Sequence, residues 1–449
     1  MDSGFDFDHY KDLLEKKQYQ KLRKELPEQN EVDIAQFIES LDKKMSTLAF
    51  RMLPKDMAAD VFSYLASESQ QFIIESITEQ ELSRIVEDLF VDDAVDILEE
   101  LPANVVSKVL KNAHPETRRL INQFLKYEEN TAGSIMTAEF IELRKNMTVG
   151  EAISRIRQVG ESKETIYTCY VIDDFRFLDG VITVKDLLLS KDDEKLEKLM
   201  TTMVIKVMTS DDREDVAQLF TKYGLLAIPV VDQENRLVGI VTVDDAVDVL
   251  EQEATEDFEK MAAVLPYERP YLKTTVLTHA KNRIVWLMVL MVSSMITGLI
   301  LGRHEAAFAA LPILITFIPM LTDTGGNAGS QSSTLVIRGM AVSEITPSDL
   351  GKVLWKELRI SLLVGFVLAM FNFFRILLLH TGGMKLAFTV SLSLYATVIF
   401  AKTIGCSLPV FAKITRLDPA IMASPMITTI VDAISLIIYS SLAVKLLGL

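Results

Sequence analysis

Cysteine and histidine are scarce in this chain, and so are the motifs of common enzyme classes. The 449 residues include five histidines and two cysteines, Cys169 and Cys406, which lie in different regions. We therefore expect no disulfide framework. A P-loop, a phosphorylatable Asp-Lys-Thr-Gly segment and a nucleophile–base set are all missing from the sequence, which argues against an enzyme. The first 30 residues are charged and polar, so no signal peptide is expected.

Charge is divided unevenly along the chain. Residues 284–449 contain 11 Lys+Arg and 7 Asp+Glu, a net charge of +4, so the whole-chain charge of −16 leaves −20 on residues 1–283. An acidic domain repels nucleic acid and an anionic membrane surface and attracts cations. Ordinary solubility explains an acidic surface equally well, so the placement of the carboxylates has to decide.

Long uncharged runs in the C-terminal part predict five membrane-spanning helices. The predicted spans are residues 284–302, 306–337 as a long or broken segment, 360–379, 386–412 and 419–444. Basic residues precede the first, third and fifth spans, among them Lys273, Lys281 and Arg283 before the first. Because Lys and Arg are retained on the cytoplasmic side, we expect the N-terminal 280 residues to be cytoplasmic and the C-terminus to lie outside.

Asp432 is a lone carboxylate near the middle of the last predicted span. A charge at that depth costs about 2.5–3.5 kcal/mol on insertion scales, so it normally faces a bundle interior or an aqueous pathway. An acid that lines a pathway attracts cations. The alternative is an ion pair with Arg375 or Lys402, the two basic residues that are suitably placed.

Oxygen-bearing residues accompany this acid. Asn327 and Gln331 are four residues apart in a segment rich in small residues, where Gly325 and Gly329 also predict close helix packing. Pro425 is expected to kink the last span and to free a carbonyl near position 421. Oxygen ligands suit hard cations such as magnesium, whereas the histidine and cysteine that zinc and copper favour are nearly absent from this region.

The cytoplasmic part divides into two kinds of sequence. Residues 1–130 show helical periodicity throughout, with helix breaks expected at 50–54 and 98–102, and suggest stacked helix pairs in a small superhelix. Residues 131–250 repeat a pattern of apolar strand, turn, Gly-containing strand, Thr-x-x-Asp and helix. This duplication resembles a pair of CBS domains, modules that often bind adenosine nucleotides. The resemblance implies that Asp186 and Asp245 occupy the position that can bind ribose hydroxyls, and that ATP is a possible regulator.

Acids recur on single helix faces in the cytoplasmic part. The groups are Asp92 with Asp96, Asp245 with Asp248, and Glu253 with Glu256 and Asp257. Like charges at this spacing repel by roughly 0.2–0.5 kcal/mol per pair, and a bound divalent cation reverses that sign. Solvated helix faces are the alternative. The last two groups fall on an acidic connecting helix expected over about 244–265, in a segment that reaches residue 270.

The whole chain resembles the MgtE family of magnesium channels. The most specific segments are Gly325-Gly326-Asn327-Ala328-Gly329-Ser330-Gln331 with Arg338-Gly339, and Asp418-Pro419-Ala420 through Asp432. The resemblance implies a multidomain architecture: an all-α superhelical N domain (1–130), a tandem CBS pair (131–250), an acidic connecting or plug helix (244–270) and a five-helix α transmembrane domain (271–449). It also implies a homodimer in the lipid bilayer of the cell membrane, with a pore between the subunits lined by Asp432.

The resemblance further implies regulation by cytoplasmic magnesium, which closes the pore when it is plentiful. The implied sensing acids are Asp60, Asp92, Asp96, Glu214, Asp245, Asp248, Glu253, Glu256, Asp257 and Asp418. Gly224 departs from the pattern, because an acid is expected there. Two other functions stay open on the residues alone: a secondary divalent-cation transporter coupled to sodium or protons, and a nucleotide or ion sensor that the membrane part only anchors.

Overall fold

The computed structural model describes residues 5–267, 271–272, 274–379, 383–422 and 424–448. These residues divide into two units at Leu250. Residues 268–270, with the end of the predicted connecting segment, lie outside the described residues, as does Lys273.

Short helices form the beginning of the first unit. They are α1 (Phe7–Glu15), α2 (Tyr19–Glu25), α3 (Glu31–Ser40), α4 (Lys43–Phe50), α5 (Lys55–Ser63), α6 (Ser67–Ser76), α7 (Glu79–Asp88), α8 (Val91–Glu100), α9 (Ala103–Asn112) and α10 (Pro115–Phe124). Their starts are encoded locally: the Asp42 carboxylate accepts the Lys44 and Met45 amides at 3.0 Å, and Thr78 with Glu81 forms a capping box. The helix breaks predicted at 50–54 and 98–102 are confirmed.

Two small α/β modules complete the first unit. One contains β1 (Ile141–Leu143), α11 (Val149–Val159), β2 (Thr168–Ile172), β3 (Leu178–Thr183), α12 (Val184–Leu189) and α13 (Leu196–Leu199). The other contains β4 (Val207–Met208), α14 (Arg213–Tyr223), β5 (Ala227–Val231), β6 (Leu237–Thr242) and the start of α15 (Val243–Met261).

The two modules have the same sheet topology. In each, the first strand is parallel to the second, and the second is antiparallel to the third. The registers correspond as well: Tyr170 lies opposite Val181 in one sheet, and Pro229 lies opposite Ile240 in the other. The sequence duplication therefore folds as a structural duplication.

The acidic helix α15 is a direct continuation of the second module. It ends at Met261, four residues before the predicted end at Leu265, so that boundary was wrong. The physical reason is local: Ala263 has a left-handed φ of 56°, and Pro266 disfavours helical geometry in the residue before it.

The second unit is helical over most of its length. After the end of α15 come α16 (Val276–Arg303), α17 (Glu305–Ala310), α18 (Ile318–Ala341), α19 (Leu350–Leu379), α20 (Gly383–Ile414) and α21 (Ser424–Leu447). Within the described residues, four helical segments are long and apolar enough to cross a membrane: those that contain α16, α19, α20 and α21. Helix α18 is 24 residues long but too polar to join them. The predicted second span is therefore broken, with α17 and a 3-10 segment (Pro312–Phe317) before α18.

Helices α18, α20 and α21 share the core of this unit. Contact between them is close because glycines replace side chains at the crossing points. A Cβ on Gly329 would lie 2.7 Å from Ile427 Cγ2, and one on Gly405 would lie 2.2 Å from the Gly329 carbonyl oxygen. The close packing expected from Gly325 and Gly329 is confirmed, since a Cβ on Gly325 would lie 2.7 Å from Thr397 Cγ2.

Candidate functional site

Asp432 lies on α21 in the second unit, and its side chain is half-buried. In the part of the chain that the structure describes, neither basic residue considered as its partner reaches it. Arg375 donates to Asn372 Oδ1 from Nε at 3.2 Å and from Nη2 at 2.9 Å. Lys402 donates to Ser332 Oγ at 3.2 Å, and its Nζ lies 3.9 Å from Glu357 Oε2. The ion-pair alternative is therefore wrong for this structure.

A polar face of α18 accompanies Asp432. Asp323, Asn327 and Gln331 follow one another at intervals of four residues, and all three are exposed within this chain. The opposite face, which includes Gly325 and Gly329, is buried against α20 and α21. Asp323 also acts electrostatically on the Asp432 carboxylate. Polar and ionisable groups of a membrane domain normally line water or a bundle interior rather than lipid.

Sequence reasoning left Asp323 out of the site. The signal was present in the spacing, because Asp323 stands four residues before Asn327, just as Asn327 stands four residues before Gln331. From the sequence, only Asn327 and Gln331 were grouped.

The expected kink at Pro425 is wrong. The preceding 3-10 segment (Pro419–Met422) ends before α21, and Pro425 is the second residue of α21, where the missing N–H has no helical partner to lose. The carbonyl that collects hydrogen bonds is that of Pro425 itself, which accepts Thr428 Oγ1 at 2.9 Å and Thr429 Oγ1 at 3.0 Å. Both hydroxyl protons are thereby engaged, and the oxygen lone pairs remain as acceptors.

In the first unit, helix α8 places acids against the two α/β modules. Burial and the charges of Asp245 and Asp93 raise the pKa of Asp92 well above its usual value, and Asp92 Oδ1 is buried without a hydrogen-bond partner among the described residues. Burial, with Asp60 and Asp244, raises the pKa of Asp93 to about 6. These acids therefore repel one another when they are ionised.

Acids of the two α/β modules that lie near α8 also have raised pKa values. Burial, Asp244 and other acids raise the pKa of Glu164 to about 7. Burial raises the pKa of Asp245 to about 6, although Thr242 Oγ1 donates to its Oδ2 at 2.6 Å. Glu164, Asp93 and Asp244 were not among the predicted sensing acids. Asp93 and Asp244 are the sequence neighbours of the predicted Asp92 and Asp245, whereas Glu164 reaches them only through the folding of distant segments.

Most of the other predicted acids of the first unit are more exposed, although the charge of Asp60 still acts on Asp93. Asp60, Asp96 and Asp248 are exposed, and Glu214 on α14 accepts Gln218 Nε2 at 3.1 Å. Gly224, which stands where an acid was expected, ends α14 with a φ of 64° in the left-handed region that favours glycine. Asp186 closes the capping box at the start of α12, accepting Thr183 Oγ1 at 2.5 Å.

No group of three acids or other metal-ligating side chains converges tightly enough to hold an ion directly, over the described ranges. Magnesium dehydrates reluctantly and commonly keeps several of its waters. Carboxylates that crowd each other without converging, such as Asp92 and Asp93 near Asp245, therefore suit a hydrated magnesium ion better than a bare one.

A second acidic junction lies in the second unit, at the end of α15. Lys260 Nζ lies 2.5 Å from Asp418 Oδ2 and also binds Glu256 on its own helix. Burial, and then the charge of Asp418, raise the pKa of Asp257 to about 6. Asp418 also caps the 3-10 segment before α21, accepting the Ala420 amide at 2.8 Å. The predicted acids Glu256, Asp257 and Asp418 therefore meet at the start of the helix that carries Asp432.

Comparisons with known proteins agree with this organisation. Family models match residues 318–442 (MgtE, divalent cation transporter), 29–130 (MgtE intracellular N domain) and 132–192 with 196–252 (CBS domain). The chain is 35% identical to the magnesium transporter MgtE of Thermus thermophilus, over 95% of each chain. It is 30% identical to the magnesium transporter MgtE of Bacillus subtilis, over 96% of this chain and 95% of that one.

Two solved structures resemble the N-terminal part. The soluble part of a magnesium transporter aligns with a TM-score of 0.53 at 33% identity, covering 55% of this chain and 98% of that one. The cytosolic domain of the Mg²⁺ channel MgtE in complex with ATP aligns with a TM-score of 0.51 at 34% identity, covering 53% of this chain and 98% of that one.

Proposed function

Because the chain belongs to the MgtE family of magnesium transporters, we propose that it is a magnesium-selective channel that imports Mg²⁺ across the cytoplasmic membrane. The observation that carries the proposal is Asp432, a half-buried carboxylate of a membrane helix without a basic partner among the described residues. An acid in such a place is retained at a cost, and a permeating divalent cation supplies the missing positive charge.

The polar face of α18 supports a pathway shared between two subunits. Asp323, Asn327 and Gln331 are exposed in the single chain although they belong to a helix of the membrane domain. In a homodimer these side chains contact the other subunit or line a water-filled path, and they do not face lipid. Asp432 is then present twice around one axis, and the ion is recognised largely through its water shell.

The proposed arrangement keeps five spans, with α18 as the span of lower hydropathy, the N-terminal domains in the cytoplasm and the C-terminus outside. Its domains are the superhelical N domain (1–130), the CBS pair (131–250), the connecting segment (244–270) and the membrane domain (271–449). Four apolar helical segments and one long polar helix of the second unit fit this count.

We infer that magnesium closes the channel by binding to the cytoplasmic acids. The raised pKa values of Asp93, Asp245 and Asp257 support this, since burial and then the charges of neighbouring acids both disfavour the ionised carboxylates in the compact state. A cation that binds the compact state better than the separated one shifts the equilibrium toward closure. The proposed sensing acids are Asp60, Asp92, Asp96, Glu214, Asp245, Asp248, Glu253, Glu256, Asp257 and Asp418.

ATP is proposed as a regulator bound by the CBS pair. A structural neighbour of this part carries ATP in its description, and Asp186 and Asp245 occupy the proposed ribose position. Both carboxylates also accept a threonine hydroxyl at the start of the following helix. The ribose hydroxyls of ATP therefore have to share these carboxylates with the threonine hydroxyls or replace them. We expect Asp186→Asn to bind ATP more weakly than wild type in isothermal titration calorimetry.

The permeation proposal is tested by magnesium flux into proteoliposomes. We expect Asp432→Asn to abolish uptake while the dimer stays folded, because the variant keeps the side-chain shape and removes the charge. Glu344→Gln, which removes an exposed acid from the turn after α18, serves as the matched control. Uptake by Asp432→Asn at the rate of the control would overturn the proposal.

A secondary transporter coupled to sodium or protons is the alternative, with Asp432 as the coupling site. Flux that requires an opposing sodium or proton gradient would favour it. The third possibility, a sensor anchored in the membrane, predicts no flux at all from purified protein.

A further inference from the structure

Lys260 holds an unusual position among the acids at the end of α15. Acids outnumber bases in this helix, and Lys260 is the one lysine of the segment 243–261. It lies 2.5 Å from Asp418 and also pairs with Glu256, with 22% of its side chain exposed. One of these contacts is local to α15, and the other joins Lys260 to a residue 158 positions away in the sequence.

The contact joins the connecting helix to the entrance of the helix that carries Asp432. Asp418 caps the segment before α21, and a small cavity beside it is lined by Lys260, Trp286 of α16 and Pro425 of α21. The Leu265 amide also donates to the Asn282 carbonyl of α16 at 3.0 Å. The ammonium group therefore sits where connecting helix, first span and last span meet.

The charges show what the ammonium does there. Glu256, Asp257 and Asp418 bring three negative charges together, and Glu253 contributes a further repulsion to Asp257. The Lys260 ammonium contacts both Asp418 and Glu256, so its positive charge lies inside this acidic cluster. A lysine that stays charged neutralises part of the cluster at every magnesium concentration.

We propose that Lys260 is a tethered cation that holds α15 against the start of α21 and thereby lowers the magnesium concentration needed to close the channel. The inference rests on the proposed gating by magnesium and assigns to Lys260 a positioning role within it. Hydrated magnesium then has to neutralise only the negative charge that remains on the acids after the lysine has neutralised part of it.

The test measures flux through the full-length protein in proteoliposomes against magnesium on the cytoplasmic side. For Lys260→Met we expect the half-closing concentration to rise about ten- to a hundredfold, the range that corresponds to one hydrogen bond to a charged group. Lys260→Arg keeps the positive charge, so its half-closing concentration should stay closer to wild type than that of Lys260→Met. Half-closure of Lys260→Met at or below the wild-type concentration would overturn the proposal.

A charge-balanced variant separates this role from a loss of folding. In Lys260→Met/Glu259→Gln the end of α15 has the same net charge as in wild type, and Glu259 is not one of the proposed sensing acids, so half-closure should return toward the wild-type concentration. Failure of the double variant to recover, with a dimer that is intact by size-exclusion chromatography, counts against a charge role. If wild-type flux does not fall with magnesium, the proposed gating itself fails. If wild type closes normally and Lys260→Met half-closes at the same magnesium concentration, only the role of Lys260 fails.

Discussion

Substitution of Asp93 by asparagine should make the first unit compact without magnesium. Asp93 lies at the start of α8, and burial with the charges of Asp60 and Asp244 raises its pKa from 3.8 to about 6. The ionised carboxylate therefore destabilises the compact state by at most about 3 kcal/mol at pH 8, because each pKa unit corresponds to 1.36 kcal/mol. Asparagine has nearly the same shape and no charge to repel.

Limited proteolysis of the full-length protein in EDTA at pH 8 measures the effect. The cleavage rate follows the population of the open form when opening is fast, so 3 kcal/mol sets an upper limit of about a hundredfold on the protection. We expect Asp93→Asn to be cleaved much more slowly than wild type in EDTA and to gain little from added magnesium. Wild type should gain most of its protection from the metal.

Asp193→Asn is the matched control, because Asp193 is an exposed acid in a turn of the first α/β module. It should behave as wild type with and without magnesium. Cleavage of Asp93→Asn at the control rate in EDTA, with the same protection by magnesium, would refute the repulsion on which the proposed gating depends.

Three further predictions concern proton linkage and the packing of the membrane domain. The pKa of Glu164 is raised from 4.5 to about 7, so its ionised form opposes the compact state of the first unit. The metal-free stability of that state should therefore be highest below pH 4.5 and be lost as the pH rises through 7. Fluorescence energy transfer between dyes on the N domain and the CBS pair, measured in EDTA, should be higher at pH 5.5 than at pH 8, and equal transfer at the two pH values would contradict this linkage. Lys402→Met should lower stability by about 3–5 kcal/mol in thermal unfolding because it leaves the buried Glu357 carboxylate with its hydrogen bond from Ser332 but without a nearby positive charge, and Lys402→Met/Glu357→Gln should recover most of that loss. Gly405→Ala should destabilise the membrane domain by about 1–3 kcal/mol or more, because the new Cβ would lie 2.2 Å from a backbone oxygen of α18. Gly298→Ala is the control and should be tolerated, since a Cβ there meets no atom within 4 Å. Equal melting temperatures for the two variants would count against this packing.

Local patterns in the sequence predicted most of the elements. The duplicated strand pattern is found in two sheets of the same topology, and the helix breaks at 50–54 and 98–102 are where they were expected. These features depend on turn residues, alternating burial and capping, which act over a few positions. The Thr-x-x-Asp repeat has the same origin, because Asp186 caps the helix that follows it.

Features that depend on distant segments were missed or wrong. Lys402 was considered as a partner of Asp432, yet it binds Ser332 and lies near Glu357, because the crossing of α18, α19 and α20 decides which faces meet. The contact of Lys260 with Asp418 joins residues 158 positions apart, a pairing that no spacing rule predicts.

The kink assigned to Pro425 failed for a different reason. Proline disrupts a helix only in its interior, and hydropathy does not show where a helix begins. The apolar run starts upstream of α21, but the backbone forms a separate 3-10 segment there and places Pro425 in the first turn of α21.

Magnesium-carried current through single proteins in a planar bilayer tests the central claim most directly. The claim is that a magnesium ion passes the Asp432 carboxylate, so wild type should give discrete magnesium currents and Asp432→Asn should give none. Currents of wild-type size in Asp432→Asn would contradict the account, and flux by wild type without any unitary current would replace the channel with a coupled transporter.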